Sequence, residues 1–135
     1  MVEVSINLKV ELDDEFFDDI ICTMFEGGSN YWIDFIKIDH PDGKKPQGIP
    51  NSTWASGALN KGGSIFISPL EEKEVKYKLT KQILIAGIQM WVDERPDSIC
   101  TTHQNKKITI DAGDIDADDA DMILQYSIFK EVVFG

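Results

Sequence analysis

Carboxylates are the one reactive group that this chain supplies in bulk. Asp111, Asp114, Asp116, Asp118, Asp119 and Asp121 fall within eleven residues, and Glu11, Asp13, Asp14, Glu15, Asp18 and Asp19 form a second cluster. Neither segment contains a Lys or Arg, so half of the 24 acidic residues lie in two short stretches without a local counter-charge. Grouped acids can hold a metal, work as general acid and base, or face the cations of a partner. The metal pattern breaks down. Asp114, Asp116 and Asp118 match positions one, three and five of a calcium loop, but position six is Asp119 instead of glycine and position twelve is Gln125 instead of glutamate. No pair of carboxylates stands apart from its neighbours as an acid–base couple. His40 and His103 fall in no metal-ligand spacing, and Cys100 with His103 is only a three-residue coincidence in a polar stretch. Gly27-Gly28 and Gly62-Gly63 belong to neither a dinucleotide-binding nor a P-loop pattern. The expectation is a binding protein, with no enzymatic activity, no metal and no cofactor.

Net charge narrows the partner. At −11 the chain as a whole repels a polyanion, which argues against direct nucleic-acid binding and against an anionic membrane surface. Basic partners are favoured, because opposite fields steer encounter. No apolar run approaches the roughly 18–20 residues that span a bilayer. MVEVSINLKV alternates apolar and polar residues without a basic flank, so it does not read as a signal peptide. A cytoplasmic location follows, in which Cys22 and Cys100 would be reduced, although their positions leave a disulfide open.

The elements that must carry these acids can be read from periodicity. Residues 2–10 place Val2, Val4, Ile6, Leu8 and Val10 on one side, the pattern of a half-buried strand. From Asp13, a candidate N-cap, Phe16, Phe17, Ile20, Ile21, Met24 and Phe25 trace a helical face that Gly27-Gly28 would end by a left-handed cap. Residues 31–38 are β-branched and aromatic on both faces, which predicts a central strand. Asp39 to Gly63 reads as a long loop, with a short strand or turn near Trp54. Trp54 is therefore the candidate exposed aromatic contact, whereas Trp32 and Trp91 are expected in the core. Ile65 to Ile67 and Glu74 to Leu79 predict a hairpin across Pro69-Leu70-Glu71-Glu72. Thr80 caps a helix to Glu94 in which Gly87 would allow close packing. A polar loop over 95–106, an edge strand from Lys107 to Asp111 and a helix from about Asp116 to Phe129, with Met122, Ile123 and Tyr126 inward, complete the chain. The expected architecture is one α+β domain of 135 residues, with three helices and a small, mostly antiparallel sheet of four or five strands.

Two phrases carry a resemblance. Glu26-Gly27-Gly28-Ser29-Asn30-Tyr31-Trp32, and Asp116-Ala117-Asp118-Asp119-Ala120-Asp121 followed by Gln125-Tyr126 and Val132-Val133-Phe134-Gly135, resemble small acidic proteins of phages and prophages of Gram-positive bacteria. Such proteins end in Leu-Phe-Gly-Glu-Val-Val, and here Lys130 replaces that glycine. The resemblance implies a counter-defence factor, anti-CRISPR proteins being a prominent group, whose carboxylates stand in for phosphates in a basic channel. The acids expected to face such a host nuclease are Asp114, Asp116, Asp118, Asp119 and Asp121, then Asp13, Asp14, Glu15, Asp18 and Asp19, with Trp54 as anchor. Two other readings remain. One is a binder of a signalling nucleotide through Lys44, Lys45 and Lys61, and the other is a phage assembly protein that self-associates or dimerises.

Overall fold

The computed structural model describes residues 1–5, 9–95, 101–104 and 107–135. Helix α1 covers Asp14–Thr23, and Asp13 caps it by accepting from the Phe16 N–H at 2.9 Å, as expected. Its end differs from expectation. The helix continues into a π turn, Met24–Gly28, and neither Gly27 nor Gly28 takes a positive φ. Gly28 is needed for space instead, because a Cβ there would lie 2.7 Å from the Ala117 carbonyl oxygen.

Strand β1 (Ile33–Asp39), strand β2 (Ser64–Pro69) and strand β3 (Tyr77–Leu79) form an antiparallel sheet in the order β1-β2-β3. The central strand is therefore β2, and β1, expected in the middle, lies at an edge with an irregular register between Ile33 and Phe35. The register sorts the sheet's side chains cleanly. Ile38, Ile65 and Leu79 form one row across the inner face, with Ile36 and Ile67 beside it. Lys37, Phe66 and Lys78 form a row on the outer face, with Phe35 opposite Ser68 next to it.

The long loop is the largest departure. Helix α2 occupies Asn51–Asn60 within it, and turns only the small residues Ser52, Ala55, Ser56 and Ala58, with Leu59, into the interior. Small side chains give no apolar stripe, so the helix left no periodic signal. Helix α2 rests on β1 and β2 and also on α1. Helix α3 (Lys81–Glu94) follows its expected span, with Thr80 accepting from the Ile83 N–H. It packs on helix α4 (Ala117–Phe129). Strand β4 (Thr101–Gln104), in the segment read as a polar loop, pairs antiparallel with β5 (Lys107–Ile110). Cys100 lies outside the described residues, as do residues 6–8 of the expected first strand. The described part of that segment, residues 1–5 and 9–10, forms no strand, and Val2 and Val4 are exposed. The chain meets the β4–β5 pair at Glu11, whose N–H donates to the Ile108 oxygen. The result is α+β as expected, but with four helices and five strands split between two sheets among the described residues.

Helix α4 ends on Lys130, which has φ 65° and ψ 9° and is the only described non-glycine residue at positive φ. An L-residue is strained there by about 1–2 kcal/mol. Lys130→Gly is expected to stabilise the protein by roughly 1 kcal/mol in urea unfolding. A loss of stability would mean that the Lys130 ammonium, 3.2 Å from the Ser127 oxygen, outweighs the backbone cost.

Candidate functional site

The two acidic clusters, some ninety residues apart in sequence, meet in space. Glu11, Asp13, Glu15 and Asp19 from the first and Asp111 from the second line one open cavity of about 280 Å³, floored by Leu12, Phe16, Ile110 and Ala112. The cause is local. Asp111 ends the β5 segment and receives the Gly113 N–H to start a single 3-10 turn, Ala112–Asp114, which abuts α1. The cluster near the start of α1 thus faces the one that leads into α4. Glu15, Asp19, Asp114 and Asp118 are exposed and make no side-chain hydrogen bond or ion pair among the described residues.

The remaining acids are occupied by the fold. Asp116 is the N-cap of α4, accepting from the Asp119 N–H at 2.8 Å, while Asp119 returns the contact to the Asp116 N–H. Burial and the adjoining Asp116 raise the Asp119 carboxyl above the usual range. Asp14 pairs with Lys81 at 3.0 Å, and the Lys81 ammonium also sits 4.6 Å from the centre of the Phe17 ring. Asp18 accepts from the Ser56 hydroxyl and from Asn60 Nδ2, which ties α1 to α2. Exposed carboxylates of this kind still contribute to the field, but their side chains are held.

Asp121 overturns its assignment. It was expected on the surface and is 5% exposed. Its Oδ1 accepts from the Ser29 hydroxyl and the Trp32 indole, both at 2.7 Å, and its Oδ2 accepts from the Tyr31 hydroxyl at 2.6 Å and Gln125 Nε2 at 2.9 Å. A carboxylate with four donors in the interior is a structural hub and cannot reach a partner's groove. Gln125, fully buried one turn later, accepts the Val133 and Phe134 N–H groups on its Oε1, each at 2.8 Å. The Phe134 ring then stacks on Trp32, with centres 5.1 Å apart and planes 9° apart. The stretch from Ser29 to Trp32 and the stretch from Asp121 to Phe134 are thus joined by one buried polar network. Desolvation and the Asp121 carboxylate push the Tyr31 hydroxyl up to about 12. A raised folded-state value means that its contribution to stability is complete below pH 10 and is lost as pH climbs towards 12.

Trp54 also differs from expectation. It belongs to α2 and stacks on buried His40, centres 3.6 Å apart, so it is half-buried instead of an anchor on a flexible loop. Trp32 and Trp91 are in the core as expected. Of the lysines of the middle segment, Lys61 pairs with Asp42 and Lys45 Nζ donates to the Ile49 oxygen, whereas Lys44 is exposed. Cys22, half-buried in α1, has its thiol raised by burial and is a poor nucleophile. No described helix is long and apolar enough to cross a membrane.

Fold and site therefore define a class, an α+β domain with an acidic face built on helix starts. Comparison with protein-family models, curated proteins and solved structures finds no match in any of the three.

Proposed function

We propose that this protein binds a basic protein partner through the acidic face formed by the start of α1 and the 3-10 turn before α4. The partner class is a nucleic-acid-binding host defence protein such as a nuclease, blocked by carboxylates that stand where phosphates would lie, in the manner of an anti-CRISPR protein. The convergence of Glu11, Asp13, Glu15, Asp19 and Asp111 on one cavity supports this reading. Helix-start stabilisation needs two or three acids, and the cavity gathers more than that, so like charges repel one another there. Glu15 and Asp19 make no side-chain hydrogen bond or ion pair among the described residues. An arginine or lysine entering the cavity would relieve that repulsion and bury its alkyl stem on Leu12, Phe16 and Ile110.

The test is a pull-down of host-cell proteins at low and moderate salt with the wild type and with Glu15→Gln/Asp19→Asn/Asp111→Asn. These changes remove charge but keep the carbonyl acceptor that caps Gly113. Capture of a nucleic-acid-binding protein by the wild type alone, at least tenfold weaker at moderate salt, is the expected outcome. Equal recovery on both baits would reduce the acidic face to ordinary solvation.

A further inference from the structure

The total charge of −11 conceals a local reversal on the outer face of the three-stranded sheet. Lys37 and Lys78 flank Phe66 in one cross-strand row, and Phe35 lies diagonally beside Phe66. Lys76, immediately before β3, holds its ammonium 5.9 Å from the centre of the Phe35 ring. Neither phenylalanine packs on the hydrophobic core, Phe35 is 45% exposed, and all three lysines are exposed. Ser68, opposite Phe35, is fully buried and its hydroxyl has no hydrogen-bond partner among the described residues. The carboxylates on β1 are Asp34, in the irregular register beside Phe35, and Asp39 at the far end. Helix α2 covers the inner side of the sheet, and the acids of the candidate cavity come from other elements.

We propose that this outer face is a short stacking platform for single-stranded nucleic acid. Neighbouring strands lie about 4.8 Å apart, so Phe35 and Phe66 can each take one unpaired base while the lysines on either side meet the adjoining phosphates. Alternation of rings and cations across an open sheet is the arrangement that stacking on unpaired bases requires. Lys76 marks the Phe35 ring as reachable by a cation, and a base can take the same face. Asp34 and Asp39 on β1, and Glu26 in the pocket that Phe35 also lines, offset part of the lysines' charge and keep the contact weak. Two bases and three lysines make a weak, sequence-tolerant contact that salt abolishes. An acidic peptide is the competing occupant, but it has charge for the lysines and nothing for the two rings.

The experiment is fluorescence anisotropy of the full chain with labelled ten-nucleotide oligo(dT) and oligo(U), at 30 mM and 200 mM salt. Saturable binding at low salt is expected, at least tenfold weaker at 200 mM. Lys37→Gln/Lys78→Gln should weaken it tenfold or more, and so should Phe66→Leu, which keeps an apolar side chain at the half-buried position. Glu15→Gln/Asp19→Asn/Asp111→Asn should leave it unweakened, which separates this face from the acidic one. Absence of binding at 30 mM, indifference to the lysine changes, or equal competition by oligoglutamate would each overturn the platform.

Discussion

Asp121→Ala is expected to destabilise the protein by about 4 kcal/mol and to lower Tm by roughly 15 °C. The change strands the Ser29 hydroxyl, the Trp32 indole N–H and the Tyr31 hydroxyl, all but the last on buried residues. It leaves Gln125 Nε2 with only the Phe134 oxygen at 3.2 Å and the Tyr31 hydroxyl at 3.4 Å. Each donor left without an acceptor in the interior costs about 1–3 kcal/mol, and water can rescue Tyr31 alone, whose ring is half exposed. Asp121→Asn should do little better, since it turns one acceptor into a donor that points at other donors. Asp118→Asn, three residues away on the exposed side, should change stability by less than about 0.5 kcal/mol. Thermal and urea unfolding of the three variants decides the matter. Equal melting of Asp121→Ala and Asp118→Asn would show that the carboxylate is not a hub.

The second large effect comes from the contact between α3 and α4. A Cβ on Gly87 would lie 2.8 Å from the Ile123 carbonyl oxygen and 2.8 Å from Ser127 Cβ, and would collide with Ser127 Oγ. Alanine favours a helix over glycine by about 1 kcal/mol, so a free surface position would gain from Gly87→Ala. Here the helices must part, and the expected net loss is about 2–3 kcal/mol by urea unfolding. Adding Ser127→Ala should restore only a fraction, because the Ile123 oxygen and the Cβ at position 127 remain. A neutral or stabilising Gly87→Ala would mean that the helices are less close than described.

Elements with a strong period or a chemical cap were legible in the sequence. Asp13 and Thr80 mark the starts of α1 and α3 by accepting a backbone N–H three residues on, and the apolar face of α3 is continuous. Helix α2 was not legible, because its buried face is Ser and Ala and its flanks are rich in Gly and Pro. The edge position of β1 was hidden too, since two apolar faces look the same at the edge and in the middle of a sheet. Of the candidate site, the clusters were visible as composition, but their meeting needed the turn at Asp111 and the contact of α1 with the 3-10 segment. Asp121 was masked by five aspartates of the same type. A signal existed in helical phase: Asp121 precedes Leu124, Gln125 and Ile128 by three, four and seven positions, which puts it on the inward stripe of α4. The lysine face was invisible to any total, because its members come from three strands and only the register brings them together.

The Asp121–Gln125 network also sets how the molecule breathes. One side chain holds the stretch from Ser29 to Trp32, the next turn of the same helix holds Val133 and Phe134, and Phe134 lies on Trp32. Peeling away the last residues uncovers the indole, and withdrawing the indole removes the floor beneath Phe134. Fraying at this end is therefore a joint event, in which the tail and a loop a hundred residues earlier leave as one cooperative unit.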